Sequence, residues 1–181
     1  MVRSQILFVM GVSGSGKSTI GKLLAEKLNI PFFDGDSFHP EANVKKMSEG
    51  KPLNDDDRQG WLERLNEVAL NNISTGAVIV CSALKEKYRT ILGHNLEGQY
   101  KIIYLNGSFE LINKRLNERK NHFMPKGLLK SQFDTLEVPT EALTISSFKT
   151  EKHPKWDAFF NINFIQFYSP SVLITKRKPS P

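Results

Sequence analysis

A short glycine-rich segment constrains this chain more than any other feature. Residues 11–18 read Gly-Val-Ser-Gly-Ser-Gly-Lys-Ser and match the pattern G-x-x-x-x-G-K-[ST]. An apolar run at residues 6–10 precedes the segment, and residues with helical spacing follow it. A strand, a glycine turn and a helix in this order form a phosphate-binding loop. A chance glycine turn is disfavoured because all four fixed positions and both flanks agree with the pattern.

The residues of this loop predict specific chemistry. The glycines allow successive backbone N–H groups to face phosphate oxygens, and the helix that starts near Lys17 adds the positive end of its dipole. Lys17 is expected to reach the β- and γ-phosphates of a nucleotide, and the Ser18 hydroxyl is expected to bind Mg²⁺.

Length and composition suit a single domain in a reducing compartment. The chain has 181 residues, of which 39% are hydrophobic, and no apolar stretch is long enough to cross a membrane. The first residues lack the features of a secretory signal. The single cysteine, Cys81, lies in an apolar run, so we expect a buried thiol in a reducing compartment.

The positive charge is concentrated at the end of the chain. Residues 149–181 contain six Lys or Arg and two Asp or Glu, so they account for +4 of the net charge of +6. The remaining body has a charge of only +2, which does not indicate a nucleic-acid interface there. The basic cluster at residues 176–178 would suit a targeting or nucleic-acid patch, but three such charges beside prolines are more often a solvated tail.

Strand-like and helix-like segments alternate along the body. Short apolar runs predict strands at residues 30–33, 77–81, 101–105 and 143–146, in addition to 6–10. Helical patterns follow at about 61–73, 88–92, 109–120 and 128–133. The alternation predicts an α/β protein of the P-loop NTPase type, with three α/β/α layers, a central parallel sheet, a substrate-binding insertion and a lid.

Two carboxylates follow the second predicted strand. Asp34 and Asp36 would project to the same side if the segment is extended. The carboxyl ends of strands face the ligand crevice in such sheets, so one aspartate would hold a Mg²⁺-bound water and the other would accept a proton from a substrate hydroxyl. A solvated Asp-Gly turn is the alternative. Because no acidic residue ends the 77–81 strand, this pair gains importance.

Basic side chains near the predicted crevice are candidates for binding anions. Arg58 lies within a polar insertion at residues 37–60 and would clamp an anionic substrate group or pair with the neighbouring aspartates. Lys85 follows the 77–81 strand and would bind substrate or phosphate, or lie at the surface. Arg115 and Arg119 share a helix face before a lid-like segment that includes His122, where they would stabilise a transferred phosphoryl group or form an ordinary exposed face. His122 by itself is more often structural than catalytic.

Several further blocks show a family resemblance across residues 6–147. They are Gly11 to Thr19, Asp36 with His39-Pro40, Pro52 to Asp55 with Asp57-Arg58, Cys-Ser-Ala-Leu-Lys at 81–85, Arg115 and Arg119, His-Phe-Met-Pro at 122–125 and Ser-Gln-Phe at 131–133. On these motifs the chain resembles the gluconokinases, P-loop small-molecule kinases akin to shikimate and adenylate kinases.

The resemblance implies transfer of the ATP γ-phosphate to the 6-hydroxyl of D-gluconate, giving 6-phosphogluconate and ADP. It also implies Mg²⁺, a cytoplasmic setting and a homodimer. The implied nucleotide-binding residues are Gly11, Val12, Ser13, Gly14, Ser15, Gly16, Lys17, Ser18, Thr19 and Arg115. The implied catalytic residues are Lys17, Asp36 and Arg119, the substrate residues are Asp36, His39, Arg58, Lys85 and His122, and the metal residues are Ser18 and Asp34.

The end of the chain departs from the family pattern. We expect a kinase domain at residues 1–148 and an atypical tail at 149–181, because the tail is rich in aromatic residues and lacks the usual final helix. The tail resembles an alternative carboxyl terminus. The alternatives that remain are a kinase of another small acid such as shikimate, an ATP-binding protein without catalysis and, least favoured, a nucleic-acid binder through the tail.

Overall fold

A parallel sheet lies at the centre of the protein. The computed structural model describes residues 5–118 and 127–146, and within them five strands pair in the order β2-β3-β1-β4-β5. All four pairings are parallel. The strands are β1 (Ile6–Met10), β2 (Phe32–Asp34), β3 (Ala77–Val80), β4 (Tyr100–Asn106) and β5 (Leu143–Ser146).

Helices connect the strands and cover the sheet. In the described residues they are α1 (Lys17–Leu28), α2 (Glu41–Ser48), α3 (Asp55–Asn71), α4 (Glu86–Leu92), α5 (Phe109–Glu118) and α6 (Leu128–Thr135). A one-turn 3₁₀ helix, Gly35–Phe38, follows β2. The described residues belong to one compact unit, Ser4–Phe148.

The middle strand β1 is buried on both faces. Ile6, Phe8 and Met10 belong to the apolar core that also contains the buried side chains of α3 and α4. Leu7 and Val9, which are also fully buried, alternate with them and therefore point to the opposite face. This burial explains why β1 reads as a continuous apolar run rather than an alternating one.

Helix α1 approaches the sheet closely at Gly21. A Cβ atom at this position would lie 2.4 Å from Cγ1 of Val80 in β3 and 2.9 Å from Cε2 of Phe32 in β2. Glycine therefore allows α1 to pack against these strands. Because α1 begins directly after the phosphate loop (residues 11–18), this packing also determines where the loop lies relative to β2.

The predicted fold class is confirmed, and the predicted strands lie close to the observed ones. The helix predicted from about residue 61 begins earlier, at Asp55. Its start is stabilised by a capping box in which the Asn54 side chain accepts from the Asp57 N–H and the Asp57 side chain accepts from the Asn54 N–H.

The prediction of an extended segment through Asp34 and Asp36 is wrong. Asp34 ends β2, but Asp36 lies in the 3₁₀ helix, because the Asp34 carboxylate accepts a hydrogen bond of 3.2 Å from the Asp36 N–H and turns the chain.

The predicted tail at residues 149–181 lies outside the described residues, so the division into a kinase domain and a tail stays a prediction. In the described ranges, 5–118 and 127–146, no helix is both long and apolar enough to cross a membrane.

Candidate active site

The lysine of the phosphate loop forms a hydrogen bond to a backbone carbonyl of the same loop. Gly16 adopts a left-handed conformation, with φ of 96°, immediately before α1 begins at Lys17. The Lys17 ammonium donates to the Val12 carbonyl at 3.0 Å, and the Ser15 N–H donates to the same carbonyl at 3.2 Å. The arrangement places the ammonium group and the first N–H groups of a helix on the same loop, as anion binding requires.

The Ser18 hydroxyl lies beside the end of β2. Its Oγ donates a hydrogen bond of 2.9 Å to Oδ2 of Asp34. Among the described residues no group of three or more His, Cys, Asp or Glu side chains is placed to hold a metal ion. Mg²⁺ commonly uses only one or two protein oxygens together with phosphate oxygens and waters, so the Ser18 and Asp34 oxygens fit this ion.

Helix α3 supports the turn that presents Asp36. The Trp61 indole is fully buried and donates a hydrogen bond of 2.7 Å to the Gly35 carbonyl. The His39 ring stacks on Trp61 with a centroid distance of 4.3 Å. Burial lowers the pKa of His39 from its ordinary value, although the Asp36 carboxylate acts in the opposite direction.

Lys85 forms an ion pair with Asp55, which was not among the predicted site residues. Its ammonium contacts both oxygens of Asp55, at 2.9 and 3.1 Å. Lys87 donates to the same carboxylate at 2.6 Å, and the Tyr88 hydroxyl also donates to it. These donors hold the pKa of Asp55 far below its ordinary range. Burial, together with the bond to Asp55, raises the pKa of Tyr88 to about 12.

Arg58 lies at the start of α3, and its contacts in the described residues do not include an ion pair with the neighbouring aspartates, which was one of the two predicted alternatives. Its guanidinium donates to the backbone carbonyls of Leu53 and Asn54, the latter at 3.1 Å, and lies 5.7 Å from the centroid of the Tyr88 ring. The Lys85 ammonium lies 5.6 Å from the same centroid, so Arg58 and Lys85 both border Tyr88, at the junction of α3 and α4.

The loop after β3 is held by an arginine for which the sequence predicted no role. Arg89 is only 8% exposed and donates to the carbonyls of Ala83 and Leu84 at 3.0 and 3.2 Å. Ala83 has a positive φ of 44°, which is uncommon for a residue with a side chain. The thiol of Cys81 is buried as predicted, and burial raises its pKa to about 12.

Helices α5 and α6 border the tip of the phosphate loop. A Cβ atom at Gly14 would lie 2.8 Å from Cγ of Leu116 in α5. The Ser13 N–H donates to Oε1 of Gln132 in α6 at 2.7 Å, and the Gln132 amide donates to the Ser13 hydroxyl at 3.1 Å. Gln132 belongs to the Ser-Gln-Phe motif of the family resemblance, and nothing in the local pattern indicated this contact.

Two predicted site residues, Arg119 and His122, lie outside the described residues. Arg115 lies on α5 and is half-buried. Thr19 is exposed in the first turn of α1. The structure thus brings Ser18, the residue after Lys17, into contact with Asp34. The roles predicted for the individual site residues stay predictions.

Comparison with known proteins identifies the class of kinase to which the chain belongs. The family model for shikimate kinase matches residues 13–145. With the parallel sheet and the phosphate loop after β1, this match shows a P-loop kinase of the shikimate kinase type.

Curated proteins and a crystal structure with at least 40% sequence identity identify the family within this class. A probable gluconokinase of Rattus norvegicus is 46% identical over 154 residues, covering 75% of this chain and 83% of the rat protein. The thermoresistant gluconokinase of Escherichia coli K12 is 47% identical over 136 residues, covering 74% of this chain and 77% of the bacterial protein. The crystal structure of a gluconokinase from Sinorhizobium meliloti 1021 matches with a TM-score of 0.74 at 40% identity, covering 82% of this chain and 86% of that one. The chain belongs to the gluconokinase family.

Proposed function

We propose that this protein transfers the γ-phosphoryl group of ATP to the 6-hydroxyl of D-gluconate, forming 6-phosphogluconate and ADP. The observation that supports this most directly is the 2.9 Å contact between Ser18 and Asp34, which joins the phosphate loop to the carboxylate-bearing end of β2. The identity of the acceptor rests on the gluconokinase relatives.

In this proposal the phosphate loop binds ATP through its backbone N–H groups, with Lys17 against the β- and γ-phosphates. The Ser18 and Asp34 oxygens would hold Mg²⁺ directly or through a water. When bound, Mg²⁺ offsets negative charge on the phosphate oxygens. Arg115 is proposed to contact the nucleotide from α5, and Arg119 to stabilise the transferred phosphoryl group.

The acceptor hydroxyl loses its proton to Asp36 in the proposed reaction. The hydroxyl oxygen forms the new bond to the γ-phosphorus, the bond between that phosphorus and the β–γ bridging oxygen breaks, and ADP leaves with the bonding electrons. Asp36 suits this role because it is exposed beside Asp34, on a turn that Trp61 fixes through the Gly35 carbonyl.

Gluconate would lie against the cationic residues near α3 and α4. Arg58 and Lys85 are half-exposed and border the same ring, that of Tyr88, so they can offer positive charge to a carboxylate. His39 would contact substrate hydroxyls from the Trp61 side. His122 is proposed as a further substrate contact.

A coupled assay of ADP release with gluconate, shikimate and nucleoside monophosphates tests the proposal. We expect turnover with gluconate alone, loss of turnover in Lys17→Ala, and at least a hundredfold decrease in kcat in Asp36→Asn, roughly the contribution of a positioned base. Turnover with shikimate but not gluconate would reject the acceptor, and normal turnover in Asp36→Asn would reject the base.

Homodimer formation and a cytoplasmic location are also proposed on the family resemblance. Light scattering of the purified chain would test the dimer, and cell fractionation would test the location.

A further inference from the structure

The Gln132 side chain of helix α6 makes two hydrogen bonds to the phosphate loop. The Gln132 amide accepts a hydrogen bond from the Ser13 N–H at 2.7 Å and donates one to the Ser13 hydroxyl at 3.1 Å. The two residues are 119 positions apart in the chain, so this contact exists only in the folded protein. A bidentate amide contact fixes both the distance and the orientation of its partner.

The apolar surroundings of Gln132 hold it in place. Leu129 and Phe133, on the same side of α6, belong to or pack against a buried cluster that includes Val12 of the phosphate loop and Leu116 of α5. The amide group is therefore presented to the loop by packed neighbours, and its contact with Ser13 is not a chance surface hydrogen bond.

The peptide group between Val12 and Ser13 links Gln132 to the lysine of the loop. On one side of this planar unit, the Ser13 N–H is held by Gln132. On the other side, the Val12 carbonyl accepts from the Lys17 ammonium at 3.0 Å and from the Ser15 N–H at 3.2 Å. Because a peptide group is rigid and planar, the direction of the N–H determines the direction of the carbonyl.

We propose that Gln132 is a positioning residue for Lys17. By holding the Ser13 N–H, Gln132 sets the plane of the Val12–Ser13 peptide, and the carbonyl of this peptide places the Lys17 ammonium for the nucleotide phosphates. The inference rests on the proposed function only in taking ATP as the ligand of the loop; it does not depend on the acceptor. It assigns α6 a role in nucleotide binding.

The test uses Gln132→Met, which keeps the unbranched shape of glutamine without its amide. We expect the Kd of ATP, measured by calorimetry, to rise about tenfold, the effect expected from losing an orienting hydrogen bond. In the active enzyme, the KM for ATP should rise while the KM for gluconate stays within about twofold. The matched control is Gln59→Met on α3, where the glutamine is exposed and contacts Glu63, away from the loop.

A double-mutant cycle shows whether the effect passes through Lys17. In a Lys17→Met background, Gln132→Met should change the Kd of ATP by less than about twofold, because the group that it positions is absent. An equal effect of Gln132→Met in both backgrounds overturns the proposal, and so does an unchanged Kd in Gln132→Met alone.

A second variant separates the two hydrogen bonds. Ser13→Ala removes the hydroxyl contact but keeps the N–H, so we expect less than about a threefold rise in the Kd of ATP. A loss as large as that of Gln132→Met would overturn a role for the peptide plane. Should Gln132→Met not fold, Gln132→Asn replaces it, since its amide is one methylene short of Ser13. If the unmodified chain binds ATP but does not phosphorylate gluconate, the acceptor assignment fails while this test still stands.

Discussion

The Ser18 hydroxyl donates a hydrogen bond of 2.9 Å to Oδ2 of Asp34, which joins the first turn of α1 to the last residue of β2. Two oxygen ligands from different elements thus lie side by side next to the phosphate loop. The contact exists because α1 packs closely on β2 and β3 at Gly21, where any larger residue would meet Val80.

Removing either oxygen should weaken the use of Mg²⁺. In Ser18→Ala and in Asp34→Asn, we expect the Mg²⁺ concentration for half-maximal activity to rise about tenfold or more, since a site with so few protein ligands depends on each of them. Titration of Mg²⁺ at saturating ATP measures this. Ser48→Ala is the control for the serine, because its exposed hydroxyl contacts only the Lys45 carbonyl in the described part of the chain. Unchanged Mg²⁺ dependence in both site variants would contradict the assignment.

The position of Gly14 should not tolerate a side chain. In Gly14→Ala the new Cβ would lie 2.8 Å from Cγ of Leu116, and the φ of 81° would be strained as well. The loop must shift, so we expect a lower Tm and a KM for ATP about tenfold higher. Gly50→Ala is a matched control, because Gly50 has a φ of 73° but no atom within 4 Å of the added Cβ. If both substitutions raise the KM for ATP equally, backbone strain at a positive φ, and not the contact with Leu116, explains the loss in Gly14→Ala.

Asp55 should stabilise the fold over a defined pH range. Its pKa is held below the ordinary value of 3.8, first by Lys87, then by Tyr88 and Lys85. A carboxylate with a depressed folded pKa adds stability that is present above the unfolded pKa and is lost as the pH falls through the folded pKa. We therefore expect Asp55→Asn to have a lower Tm than the unmodified chain. This difference in Tm should be constant from about pH 8 to about pH 5 and should become smaller below about pH 3.8.

The neighbouring Asp56→Asn is the control for Asp55, because Asp56 is exposed and has no ion-pair partner among the described residues. The difference in Tm between Asp55→Asn and the unmodified chain should not change between neutral pH and about pH 5. If it does change, the pH dependence of stability comes from a titrating group other than Asp55.

His39 should make the protein less stable in mild acid. Burial beside Trp61 lowers the pKa of His39 below 6.5, so the folded state favours the neutral ring. The unfolded chain then binds the proton more readily, and stability falls as the pH drops from about 6.5 toward the lower folded pKa. We expect His39→Gln to show a smaller decrease in Tm than the unmodified chain between about pH 7.5 and 5.5. Scanning calorimetry at several pH values measures this, and identical slopes would contradict it.

Local sequence patterns predicted much of the fold. The apolar run before the phosphate loop became β1, and the segment at 143–146 became β5 with the predicted bounds. The first run is recognisable because β1 is wholly apolar and buried on both faces. In β5, apolar and polar residues alternate, with Thr144 exposed and Ile145 buried. Periodicity missed the early start of α3 because the first turn, Asp55 to Asp57, is polar and is stabilised by capping rather than by apolar packing.

The candidate site was less accessible to sequence reasoning. Lys85 was assigned as a cation for an anionic ligand, but its contact with Asp55 crosses 30 positions of sequence. The contact forms because α3 and α4 pack side by side on one face of the sheet. The sequence predicted no role for Arg89, although Arg89 holds two carbonyls of the loop after β3.

By itself, the sequence determined that this protein has a phosphate loop between a buried strand and a helix, within a parallel α/β fold, because these features follow from local spacing and residue type. Only the tertiary structure decided which distant groups meet: Ser18 with Asp34, Lys85 with Asp55, and Ser13 with Gln132. Such pairs depend on how closely helices pack on the sheet, and that distance is determined by many side chains at once.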